Sequence, residues 1–239
     1  MLTIQKHETI MKNILRDIYS DSRLQAQLAF KGGTCLYLFH GLSRFSTDLD
    51  FNVRAGVNLQ EINPDFITDI LKQYLKIEDQ YDKHFTLFWF GSYEKNQQGI
   101  KVEINKREYI SDTYQENDFF GLTVPSLDLP TMFAHKLCAI TDRKELVNRD
   151  LYDAWWLFKK LTPINEAVVH ERMNKKLVDY LKSLPEYIIA HVKKDYILSG
   201  LGELLSQSQK SWVRDHLLKE LLFQIEVKIQ ELSNWNFSA

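Results

Sequence analysis

Residues 31 to 50 read Lys-Gly-Gly-Thr-Cys-Leu-Tyr-Leu-Phe-His-Gly-Leu-Ser-Arg-Phe-Ser-Thr-Asp-Leu-Asp, and no other stretch restricts the fold as tightly. A short apolar run, Leu28 to Phe30, precedes it and predicts a strand that delivers the glycine pair. The apolar run Thr34 to Phe39 predicts a helix opening directly on Gly32 and Gly33. Asp48 and Asp50 then alternate with apolar residues through Val53, as on a half-buried strand, so both carboxylates face one side. A strand, a glycine turn, a helix and a second strand therefore follow one another with little slack. The glycines let backbone approach a phosphate closely, with the N–H groups of the helix start turned towards it. Two hard oxygen ligands on one face suit Mg²⁺, which binds through one or two carboxylates plus substrate phosphates.

The rest of the first half supplies the sheet and its cover. Met11, Ile14, Leu15 and Ile18 recur at helical spacing and predict an amphipathic N-terminal helix. Asn63-Pro64 starts another, with Ile67, Ile70, Leu71 and Tyr74 as its apolar stripe. Phe85 to Phe90 is β-rich, a polar turn runs from Glu94 to Gly99, and Ile100-Lys101-Val102-Glu103-Ile104 alternates, so the two runs predict a hairpin. After Pro125 the pattern turns helical, punctuated by Pro163, Pro185 and Gly200-Leu201-Gly202, and the last helix carries Leu217, Leu218, Leu221, Leu222, Ile225 and Ile229 on one side. The expected organisation is α+β: an α/β domain over residues 1–125 with a small mixed sheet flanked by helices, then an all-helical domain over 126–239, the two packed together for want of a flexible linker.

Composition sets outer bounds. With 239 residues, 44% hydrophobic and 26% charged, the chain has the make-up of a globular protein. A net charge of -2 announces no general affinity for nucleic acid, although a local basic patch is compatible with it. The start lacks an apolar signal core and no run is long enough to span a bilayer, so a cytoplasmic protein is expected. Cys35 and Cys138 read as buried apolar residues in a reducing compartment, and the seven histidines form no zinc-binding spacing.

The Gly-Gly-Thr turn with Arg44-x-Ser46-x-Asp48-x-Asp50-Phe51 resembles the signature of the DNA polymerase β-type nucleotidyltransferases. More narrowly, KGGT with RFSTDLDF resembles the AbiEii/AbiGii-type nucleotidyltransferase toxins, which include the MenT-type toxins that modify tRNA. The resemblance implies a third acid from a later strand, and Glu103 is the candidate, against the alternative of a solvent-facing glutamate. It also covers Lys136-x-x-Ala139-x-x-x-Arg143 and Arg149-Asp150-x-x-Asp153, which match the Lys-x-x-Ala-x-x-x-Arg and Arg-Asp-x-x-Asp motifs of the same toxins. Lys136 and Arg143 are seven apart, which predicts that they lie on one helix face, and two cations there suit a triphosphate. The family gives Asp150 a catalytic or positioning role. For Asp153, and for Asp150 with Arg143 and Arg149, a structural ion-pair network is the alternative.

The implied activity is transfer of NMP from an NTP to an RNA acceptor, the tRNA 3′ end, by a toxin of a toxin–antitoxin or phage-defence pair. Two Mg²⁺ ions would be held by Asp48, Asp50 and Glu103. Lys31, Gly32, Gly33, Thr34 and Arg143 would hold nucleotide phosphates. Arg44 would either bind phosphate or neutralise the Asp pair, and Ser46 would either bind phosphate or cap a turn. Implied partners are the NTP, tRNA and a cognate antitoxin, with no membrane. Rival classes are a nucleotidyltransferase acting on a small molecule or protein hydroxyl, and a non-catalytic interaction module of the same fold.

Overall fold

The fold was taken from a computed structural model, which describes residues 4–59, 62–94 and 99–235. The chain divides into two compact units, Met1–Asp128 and Leu129–Ala239. The first is α+β and the second is helical, as the hydrophobic periodicities of the two halves imply.

The first unit is built on one seven-stranded mixed sheet in the order β3-β4-β5-β2-β1-β7-β6. Its strands are β1 (Leu28–Lys31), β2 (Asp48–Val53), β3 (Lys76–Lys83), β4 (Thr86–Ser92), β5 (Ile100–Asn105), β6 (Tyr114–Phe119) and β7 (Leu122–Leu127). β2 lies antiparallel to β1 and parallel to β5, so the glycine-bearing strand and the later acid-bearing strand flank it. The expected β4–β5 hairpin is present as an antiparallel pair; residues 95–98 of its expected turn lie outside the described residues. Helix α1 (Ile4–Ser20) buries Met11, Ile14, Leu15 and Ile18 completely. The short α2 (Ser22–Gln25) follows, and α3 (Gly32–His40) is the expected glycine-opened helix. Helix α4 (Pro64–Lys72) starts as expected, with the Asn63 side chain accepting from the Asp65 N–H at 2.9 Å and Pro64 in the first turn, where no N–H is missed. Tyr74 falls just past its end.

The sheet is larger than expected because β3 and β6 carry little hydrophobic signal and β7 contains a proline. β3 and β6 are the two sheet edges, and their sequences, KIEDQYDK and YQENDF, are charged and polar. Charged edges discourage pairing with other chains and erase the apolar alternation that marks interior strands. β7 contains Pro125, read above as the end of the sheet; instead it pairs with Glu116 of β6 inside the strand, and the unit boundary falls after Asp128.

The second unit comprises α5 (Leu129–Asp142), α6 (Asn148–Lys159), α7 (Glu166–Met173), α8 (Leu177–His191) and α9 (Gln207–Trp235). Pro185 does not interrupt a helix but sits inside α8. Buried Leu181, Leu184 and Ile188 surround it, and their packing offsets the missing hydrogen bond. On α9, Leu217, Leu221, Ile225 and Ile229 are buried while Leu218 and Leu222 are half-buried. Trp155 and Trp156 of α6 are core residues, Trp155 packing 4.2 Å from Trp212 between ring centres. Both cysteines are free and buried, and burial pushes their thiols up, to about 12 for Cys35 and about 11 for Cys138. Among the described residues no helix is long and apolar enough to cross a membrane.

Candidate active site

The alternation in β2 buries Leu49 and Phe51 and leaves Asp48 and Asp50 half-exposed on the opposite face. In the parallel β5, Lys101 stands opposite Asp48 and Glu103 opposite Asp50. Cross-strand neighbours project to the same face, so Glu103 joins the Asp pair, as expected of the third acid. On the other side, Lys31 of β1 stands opposite Asp50. The Lys101 ammonium lies among all three acids, with Nζ 3.7 Å from Asp48 Oδ2, 3.8 Å from Asp50 Oδ1 and 3.6 Å from Glu103 Oε2. Lys101 lies two residues before Glu103 in the same alternation, so its place on the acid face is legible in the sequence although it belongs to no motif.

The donor set suits a hard divalent ion: three carboxylates from adjacent strands already surround a cation, and the ammonium stands in for it. Among the described residues, no group of three or more His, Cys, Asp or Glu side chains is placed to hold a metal as it stands. Mg²⁺ takes oxygens at about 2.0–2.1 Å, well short of the 3.6–3.8 Å at which these oxygens lie from the ammonium.

The glycine pair is shaped by the acids. Gly32 has φ +82°, and a Cβ there would stand 2.5 Å from Asp50 Oδ2, inside contact distance. A Cβ on Gly33 would stand 2.7 Å from Ser46 Oγ and 2.8 Å from Arg44 Nη2. The turn thus lies directly against Asp50 on one side and against Arg44 and Ser46 on the other. Arg44 is 2% exposed, with Nη1 donating to the Phe45 carbonyl at 2.9 Å, and Ser46 is 5% exposed. Thr34 is fully buried and its hydroxyl donates to the Asp48 carbonyl. Thr34 thus ties the start of α3 to β2, while Arg44 and Ser46 lie buried against the Gly33 backbone.

A further support comes from α1. His7 is buried, with Nε2 3.0 Å from the Thr47 carbonyl and Nδ1 3.1 Å from the Tyr93 hydroxyl. A carbonyl only accepts, so Nε2 carries the hydrogen and Nδ1 accepts from Tyr93. Burial holds the imidazole below its ordinary value, against the Thr47 hydrogen bond and the Asp48 charge, which raise it. Nothing in the scattered histidines marks this brace in sequence.

The second unit carries its own cluster. Lys136 Nζ on α5 lies 3.1 Å from Asp150 Oδ1 and 2.8 Å from Asp153 Oδ2 on α6. Asp150 and Asp153, three apart, share the helix face turned to Lys136, and are 2% and 0% exposed. Arg143 lies one residue past the end of α5, so it does not share a helical face with Lys136; the seven-residue spacing overran the helix. It reaches the cluster from the loop, with Nε 2.8 Å from Asp150 Oδ2 in an ion contact not aligned as a hydrogen bond. Both aspartates therefore hold Lys136, and Asp153 contributes as closely as Asp150.

A glycine turn seated on an Asp-x-Asp strand within this mixed sheet is the arrangement of a nucleotidyltransferase fold. Two solved structures from Helicobacter pylori share that fold. The protein JHP933 is 21% identical, with a TM-score of 0.60 over 100% of this chain and 97% of its own. A second, assigned as a nucleotidyltransferase, is 22% identical, with a TM-score of 0.61 over 98% of each chain. No curated protein matches the sequence. Residues 13–224, spanning both units, match the nucleotidyl transferase AbiEii toxins of type IV toxin–antitoxin systems, and the chain belongs to that family. It is accordingly a nucleotidyltransferase toxin, and such a system pairs it with an antitoxin.

Proposed function

We propose that this toxin transfers NMP from an NTP to an RNA acceptor, the 3′ end of tRNA, with release of pyrophosphate. The observation that carries the reading is the convergence of Asp48, Asp50 and Glu103 on one cation beside a glycine turn seated directly against Asp50. In the reaction the acceptor hydroxyl oxygen bonds to the α-phosphorus as the α–β phosphoanhydride bond breaks. Asp48, Asp50 and Glu103 would hold Mg²⁺, which when bound neutralises phosphate charge and lowers the hydroxyl's pKa. Glu103, whose side chain is the most exposed of the three at 36%, orients the acceptor hydroxyl and takes its proton on a carboxylate oxygen. Backbone N–H groups of the turn at Gly32 and Gly33 would bind phosphate oxygens beside Asp50, and Lys31, opposite Asp50, adds a positive charge there. The positions of Lys136, Arg143 and Asp150 in the motif support a role in triphosphate use.

The test incubates purified protein with each labelled NTP, Mg²⁺ and total tRNA. Label is expected at the tRNA 3′ end with one or two nucleotides, and is expected to vanish with Asp48→Ala or Asp50→Ala variants that melt normally. Label on protein or a small molecule with none on tRNA would refute the RNA reading, and wild-type transfer by either variant would refute the site.

A further inference from the structure

We propose that Lys101 is a built-in counter-ion of the acid cluster, and that a divalent cation enters the site by displacing its ammonium. The inference rests on the reading of Asp48, Asp50 and Glu103 as metal ligands.

Three observations carry it. The ammonium is nearly equidistant from the three acids, at 3.6 to 3.8 Å, which is where a shared cation sits. Those distances exceed the roughly 2.7–2.9 Å of a charge-assisted hydrogen bond, so these acids hold it by charge rather than by directed bonds. Lys136 shows the contrast within the same chain: it is pinned at 2.8 and 3.1 Å between two buried aspartates. Finally, the Lys101 side chain is 30% exposed on a flexible four-carbon stem, and can withdraw towards water without unpacking the sheet.

The consequence is competition. In the metal-free chain Lys101 relieves carboxylate repulsion that would otherwise act against the fold. When a divalent ion binds, the same charge opposes it. Each half-exposed ion pair is worth up to about fivefold in an equilibrium, and three acting together put the expected effect on the order of tenfold.

The test is titration of metal-stripped, full-length protein with Mn²⁺, without nucleotide or RNA, reading free Mn²⁺ by electron paramagnetic resonance and melting by circular dichroism. Lys101→Gln is expected to bind Mn²⁺ about tenfold more tightly than wild type, to melt lower without metal, and to gain more from Mn²⁺. Lys101→Arg, which keeps the charge, is expected to stay near wild type, as is Lys106→Gln, which removes a lysine paired elsewhere, with Asp82. Unchanged or weaker binding by Lys101→Gln, no measurable binding by either protein, or equal tightening by Lys106→Gln overturns the proposal. Asp50→Asn separates it from the reading it rests on. If that variant loses Mn²⁺ while Lys101→Gln behaves as wild type, the metal site stands and only the counter-ion role falls. If Asp50→Asn binds as wild type, the ion lies elsewhere and both fall.

Discussion

Replacing Lys136 by methionine should destabilise the second unit, apart from anything it does to transfer. Methionine keeps most of the stem volume and removes the charge. Asp153 is fully buried and Asp150 nearly so, while the Lys136 side chain is 16% exposed, so solvent does little to screen the loss. Asp150 keeps Arg143 at 2.8 Å, but that guanidinium is half-exposed, and Asp153 loses its 2.8 Å partner. Removing one partner of a buried pair costs about 3–5 kcal/mol; with Asp150 still partly compensated, about 3 kcal/mol is expected. At about 2–4 °C per kcal/mol for a chain of this size, the melting temperature should fall by roughly 6–12 °C. With the lysine charge gone, Asp153 should take up a proton more readily in the folded variant than in wild type, so the deficit should be larger at pH 8 than at pH 5. Urea denaturation of wild type, Lys136→Met, Asp153→Asn and the double variant, followed by circular dichroism, gives the coupling directly. The double variant should recover at least about 1 kcal/mol of the single-variant loss, because its asparagine needs no counter-charge. A Lys136→Met protein within about 0.5 kcal/mol of wild type, with additive losses in the cycle, would refute this account. It would return Lys136 to a role in substrate binding alone.

Other substitutions probe the first unit. Gly32→Ala should cost about 1–2 kcal/mol for the left-handed backbone alone, and because its Cβ would meet Asp50 Oδ2 at 2.5 Å it should also cut nucleotide transfer at least tenfold, measured with labelled NTP. Near-normal transfer would mean that the Asp50 carboxylate is free to move. Asp50→Asn should abolish transfer yet leave the metal-free melting temperature within a few degrees of wild type, since it relieves repulsion while losing a contact to Lys101. His7 predicts an acid dependence. Its folded pKa lies below the ordinary 6.5, so the unfolded chain binds the proton first, and the His7 contribution is full above pH 6.5 and lost as pH falls below it. His7→Gln should therefore flatten the fall in melting temperature between pH 7 and pH 5; an unchanged slope would place the acid sensitivity elsewhere.

What the sequence disclosed and what it hid follow one physical rule. Features set by local alternation are legible: β2 and β5 each have one apolar and one polar face, so the sequence alone places Asp48, Asp50 and Glu103 on strands. The same rule misled where burial and polarity part company. β3 and β6 are exposed edges, and Lys83, Asp82 and Glu116 there carry no periodic signal. In the uniformly apolar run Leu87-Phe88-Trp89-Phe90 only Leu87 and Trp89 are buried; the phenylalanines stand opposite Glu103 and Lys101 on the face of the acids. Partner geometry was hidden for a different reason. A sequence motif names Lys136 and Asp150 but cannot tell a cation pinned at hydrogen-bond distance from one held loosely, as Lys101 is, among three carboxylates at 3.6 to 3.8 Å. That difference bears on function. A pinned lysine is bound into the framework, so removing it should unfold before it informs. A loosely held lysine beside paired acids can yield its place to a stronger cation, so removing it should change metal affinity while the sheet stays intact.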